Sequence, residues 1–241
     1  MILRSLYGAA EKNLSRYRHQ QLYSRYIAEW PPDLVNCHQI DCKLNFNKHV
    51  NNVLNKVSRV SGMIWRGRSI LSQKIRKMLY LSLAWPQLTY GILSWGRCGL
   101  GGIGKIIKAQ NKIVKLIFGS SVQSTYISNS IFQFQKAYDY FAAIKLYREI
   151  NNQSVTYFSN RIDSFQVNHS HNTRFSSAGN FVPPLFSRSK CFSSFLHGSI
   201  HVWNDLPTDI KNVNSLFVFK SKLRQHFLSW VQDILYYCIE K

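Results

Sequence analysis

Carboxylates are scarce in this sequence: seven Asp and four Glu among 241 residues. No two are adjacent, and none occurs between Asp41 and Asp139. Enzymes that act on nucleic acid through two metal ions need closely placed carboxylates to hold them, so the spacing argues against a self-contained polymerase or nuclease site. Cysteine is sparse and odd in number. Cys37, Cys42, Cys98, Cys191 and Cys238 are scattered through a chain long enough to build a core without staples, and read as reduced thiols in a nuclear or cytoplasmic setting. Cys37, His38 and Cys42 form one small group, and Cys191, His197 and His201 form a C-x5-H-x3-H group. A zinc site takes four ligands as two close pairs, and each group holds only half of one. The expectation is no metal and no cofactor.

Long apolar runs are also missing. Residues 78–96 carry no charge, but the stretch is short for a membrane span and is interrupted by Ser82, Pro86, Gln87, Thr89 and Ser94. It reads as a buried helix, a kink at Pro86 and a second buried segment, with no membrane contact. Residues 1–10 lack the apolar centre of a signal peptide. Gly99, Gly101, Gly102 and Gly104 have no strand–turn–helix frame and no following GK[ST], so they read as a flexible link and not a phosphate cradle. No nucleophile elbow is present.

What the sequence does have is positive charge. Thirty-one Lys and Arg against eleven acids leave a formal charge of +20. Like charges repel in the compact state, so a polyanionic partner is the usual reason for such a surplus, nucleic acid before membrane. Fifteen of these cations fall in the acid-free stretch between Asp41 and Asp139. Hydrophobic periodicity organises them. Phe46, Val50, Val53, Val57, Val60 and Ile64 recur at intervals of four and three, which stacks them on one helix face. Lys48, Arg59 and Arg66 fall together on the opposite face. Ser72 is placed to cap a further helix through Ile75, Leu79 and Leu83, with Lys74, Arg76 and Lys77 in its early turns. The macrodipole opposes cations there, which points to phosphate as the compensating partner. Ile103, Ile106, Ile107, Gln110, Ile113, Val114 and Ile117 line a third helix, with Lys105, Lys108, Lys112 and Lys115 on its other face.

The expected fold is mainly α. A helical bundle over residues 40–118 is followed by a helical extension over 119–160, which includes a helix over 134–151. A loop-rich tail over 161–241 carries short extended pieces, a compact turn at Trp203, Asn204, Leu206 and Pro207, and a terminal helix over about 215–236. Residues 1–39 are expected as an amino-terminal arm whose helix, over residues 1–30, is stopped by Pro31 and Pro32. Trp65, Tyr80 and Trp95 lie near apolar stripes and are expected in the core.

Two ordered stretches carry a resemblance. The first runs Ile40-Asp41-x-x-Leu44-x-Phe46-x-x-His49-Val50, then Lys56-Val57, Leu79-Tyr80, Tyr90-Gly91 and Trp95-Gly96. The second includes Thr173-Arg174, Phe181-Val182-Pro183, Trp203-Asn204-x-Leu206-Pro207-x-x-Ile210 and Phe217-x-Phe219-Lys220-x-Lys222-Leu223. Over residues 40–228 this order resembles the carboxy-terminal part of reverse transcriptases from jockey-type non-LTR retrotransposons. The resemblance implies that residues 40–118 are a thumb, the helical part that lies against the template–primer duplex. The family's Tyr/Phe-x-Asp-Asp catalytic segment and the strand leading into Ile40-Asp41 have no counterpart here, and residues 1–39 match no part of it.

The resulting expectation is a non-catalytic module that binds RNA, DNA or their hybrid through Lys48, Arg59, Arg66, Lys74, Arg76, Lys77, Lys105, Lys108 and Lys112. The alternatives are an accessory portion completed by a separate palm-bearing reverse transcriptase chain, or the product of a truncated element copy with no selected function.

Overall fold

A computed structural model describes residues 45–97, 99–151, 173–183 and 194–239. The described part is mainly α, with no strand among its residues. The expected amino-terminal arm, Cys37, His38, Cys42, Cys98 and Cys191 lie outside it.

The longest amphipathic stripe becomes α1 (Asn47–Arg66), with Val50, Val53, Val57, Val60 and Ile64 buried. Phe46 precedes it in a left-handed conformation at φ 53°, an uncommon state for a side chain of that size. Its ring is buried at the edge of the core. Ser72 caps α2 (Gln73–Leu79), accepting a hydrogen bond from the Ile75 amide. The chain then passes through one π turn, Tyr80–Ala84, into α3 (Trp85–Thr89). Pro86 falls in the first turn of α3, where a missing amide is tolerated. The break expected at Pro86 is therefore a widened turn just before it, and the helical path continues.

The π turn also changes which residues face inward. Tyr80, Ala84 and Leu88 are buried, while Ile75 and Leu83 of the expected stripe are exposed. The physical reason lies in the partners. Tyr80 Oη accepts a hydrogen bond from Gln110 Nε2 in the interior (2.9 Å), and Arg76 and Lys77, which share its side of the helix, reach partners on neighbouring elements. These bonds hold the polar side inward against the apolar pattern.

After α4 (Ile92–Trp95), the third stripe becomes α5 (Leu100–Phe118). Three of the glycines expected in a loop lie within its first turns, and only Gly99 stays outside as the cap. A Cβ at Gly101 or Gly104 would meet open space, so close packing does not demand glycine there. Packing of Ile106, Ile113, Val114 and Ile117 overrides the poor propensity. Along its length α5 packs against α1.

Next come α6 (Gln123–Ser128) and α7 (Phe134–Ile150), the second close to its expected bounds. In the tail, α8 (Arg174–Ser177) is a single turn. A helix that the polar composition did not signal, α9 (Phe195–Asn204), starts at a Ser194 cap and packs on α7. The Trp-Asn-x-Leu-Pro motif is the joint between α9 and α10 (Thr208–Lys211), and α11 (Leu216–Ile239) closes the order.

Local bonds explain the motif. Asn204 clamps Phe181, accepting from its amide (3.0 Å) and donating Nδ2 to its carbonyl (2.8 Å). Trp203 Nε1 donates to the Gly179 carbonyl (3.0 Å). The Phe-Val-Pro and Trp-Asn segments thus hold each other. One contiguous core runs from Phe46 and the α1 valines through Trp95, Phe134 and Tyr147 to Trp203, Phe219 and Phe227. Tyr147 and Phe219 stack at 4.2 Å between centroids, tying α7 to α11.

Candidate nucleic-acid interface

Burying the valine stripe of α1 against α5 turns the remaining faces of both helices outward. Lys48, Arg59 and Arg66 are exposed on α1, and Lys105, Lys108 and Lys112 on α5. Lys115 is exposed as well and extends the α5 row by one turn. At a rise of about 1.5 Å per residue, Lys48 to Arg66 spans roughly 27 Å of helix axis. That length matches about eight nucleotide steps of roughly 3.4 Å along one strand. The two rows sit on adjacent helices, and the sequence linking those helices contains no carboxylate.

At the start of α2, Lys74 is exposed. Its neighbours differ. Arg76 Nη1 donates to the Leu116 carbonyl (2.8 Å), in the last turn of α5. Lys77 Nζ donates to the Asn129 carbonyl (2.8 Å), the cap residue at the end of α6. Both bonds are partly buried, and both place a cation at a helix carboxy terminus, where unpaired carbonyls and the macrodipole favour it. The offset for cations at the start of α2 is thus found within the protein. Of the nine cations expected at an interface, seven are exposed and two are engaged in holding α2 to α5 and α6.

The aromatic expectations divide. Tyr80 and Trp95 are fully buried, Trp95 edge-on to His49 at 4.9 Å and donating Nε1 to the Tyr90 carbonyl (2.9 Å). Trp65 is 52% exposed at the end of α1, with the Arg68 guanidinium 4.1 Å from its ring centroid. Neither Trp65 nor Arg68 was expected at the surface row. The available signal was position: Trp65 falls outside the four–three spacing that marks the buried stripe.

The interior beneath the rows holds buried polar side chains, His49, Ser61 and Gln110. Gln110, fully buried on α5, donates Nε2 to Tyr80 Oη and to the Phe132 carbonyl (2.8 Å), and its Oε1 accepts from the Phe134 amide (2.9 Å). Burial pushes the Tyr80 phenol well above its ordinary value, so Tyr80 stays neutral as the donor–acceptor partner of this bridge. Among the described residues the carboxylates lie elsewhere, on α7 and in the tail. Glu149 is buried and paired with Lys145 at 2.5 Å, and Asp139 faces Lys136 at 3.9 Å. Among the described residues no three His, Cys, Asp or Glu side chains gather as a metal site, and no helix is long and apolar enough to cross a membrane.

No protein-family model, curated protein or solved structure matches this chain.

Proposed function

We propose that the chain is a non-catalytic nucleic-acid-binding module whose α1 and α5 basic rows, with Lys74, follow a phosphate backbone. One observation carries this reading: two adjacent helices turn exposed cations outward, with no acid in the intervening sequence. Solubility alone would tolerate mixed signs. The resemblance to the thumb of jockey-type reverse transcriptases supports the same role and favours an RNA–DNA hybrid. Neutralising about six phosphates gives a log–log salt slope near −5, a loss of roughly a thousandfold between 50 and 200 mM salt. The double substitution Lys108→Glu and Lys112→Glu should weaken binding, and flatten the slope by about two, without unfolding the protein. Unchanged affinity in that folded variant would remove α5 from the interface.

A second reading, an accessory portion completed by a palm-bearing chain, is favoured by uncovered apolar side chains. Ile70 is 86% exposed, and Ile75, Met78, Leu81 and Leu83 are exposed along α2 and the π turn. Such a row fits burial against another polypeptide. Stimulation of primer extension by a separate palm-bearing chain, abolished by Met78→Lys, would select it over simple binding. Aggregation without cooperative unfolding would instead match a remnant element copy with no selected function.

A further inference from the structure

The outward face of α9 carries His197 and His201 one turn apart, a pair that the basic rows leave unused. Their helix is firmly set: Ser194 caps it, and Leu196, Ile200 and Trp203 are buried beneath. The two Nε2 atoms stand 3.2 Å apart. The ring centroids are 4.4 Å apart and the planes are inclined at 56°. The two rings stand side by side on one face of the helix, with Nε2 toward Nε2.

We propose that His197 and His201 form a binding site for a divalent transition-metal cation of the Zn²⁺ class. With Zn–N bonds of about 2.0–2.1 Å, nitrogens at the observed separation subtend roughly 100° at the metal, close to a tetrahedral edge. Imidazole suits Zn²⁺, Ni²⁺ and Cu²⁺ and discriminates against Mg²⁺ and Ca²⁺, which take oxygen ligands. His201 is exposed and His197 half-buried, so a hydrated cation reaches the pair directly. Among the described residues no third side chain completes the set, and water fills the remaining positions. The site is independent of the nucleic-acid reading, since it uses imidazole nitrogens on the tail and none of the cations of α1 or α5. In the structure the two Nε2 atoms share a hydrogen bond, which a bound cation would replace.

The test is titration of ZnCl₂ into untagged full-length protein, followed by calorimetry and thermal unfolding and repeated with MgCl₂. Other thiols and imidazoles in the chain can also take zinc, so the comparison with His201→Ala and His197→Ala decides. His201→Ala removes an exposed ring and keeps the fold. The expected result is one fewer zinc bound by either variant than by the parent protein, a smaller zinc-induced rise in Tm, and no response to MgCl₂. Acidification should release this zinc, because ligating imidazoles must be unprotonated. Equal stoichiometry in parent and variants, or no zinc bound by the parent, would overturn the proposal.

Discussion

Gln110 shows how one polar side chain can fix the arrangement of three segments. Its amide joins Tyr80, the Phe132 carbonyl and the Phe134 amide inside the core. Its position within an isoleucine stripe made its burial legible from spacing, but its partners, 22 to 30 residues away, were not. Gln110→Leu keeps the volume and strands buried donors and acceptors. The expected cost is about 2–4 kcal/mol in urea unfolding; a loss below about 1 kcal/mol would mean that water replaces the bridge. Asp139 tests the opposite case, a charge that the fold disfavours. Burial pushes its carboxyl up to about 6 despite Lys136 and Arg97, with Asp205 adding to the rise. Lys136 is shifted down by its own burial, so both partners move toward their neutral forms and desolvation outweighs the 3.9 Å attraction. The native state then holds this proton more tightly than the unfolded chain, whose carboxyl titrates near 4. Stability contributed by protonated Asp139 is complete below about pH 4 and is lost as pH rises through about 6. Asp139→Asn should therefore match the parent near pH 4 and exceed it at pH 7, by on the order of 1–2 kcal/mol. A less stable variant at pH 7 would show that the ion pair wins instead.

Elements differed in how much the sequence disclosed. Clean four–three spacing in α1 and α5 set both their buried faces and their basic faces, because each helix meets its neighbours along a single apolar stripe. In α2 the spacing misled. Ile75, Leu79 and Leu83 formed the visible stripe, yet the helix turns Arg76, Lys77 and Tyr80 toward its neighbours, and the π turn shifts the register before Pro86. Periodicity cannot report a helix whose inner face is held by hydrogen bonds to carbonyls 40 and 52 residues away. The start of α5 failed for a related reason: glycine propensity was outvoted by the isoleucines that follow. A prediction separates the two roles of the α2 cations. Arg76→Ala and Lys77→Ala should each lower stability by about 1–2 kcal/mol, the worth of a charged hydrogen bond. Lys74→Ala should leave stability within about 0.5 kcal/mol and weaken nucleic-acid binding instead. The reverse pattern in paired unfolding and binding assays would assign Arg76 and Lys77 to the interface.

At the scale of the whole molecule, the dominant fact is an excess of twenty positive charges on a core that gains nothing from them. The fold separates the two requirements. Apolar stripes of α1, α5, α7, α9 and α11 meet in one contiguous core, and α1 and α5 carry their cations outside it. Composition and spacing made the mainly helical class and the outward lysines legible. They did not reveal the Asn204–Phe181 clamp or α9, which depend on contacts across the polar tail. On the proposed reading this surplus meets a polyanion, and the measurement that tests it most directly is binding of the intact protein to a labelled RNA–DNA hybrid across a salt series. Reversible binding that falls roughly a thousandfold between 50 and 200 mM salt is the predicted result. Folded protein that does not bind, or binds with no dependence on salt, would contradict a polyanion-binding role.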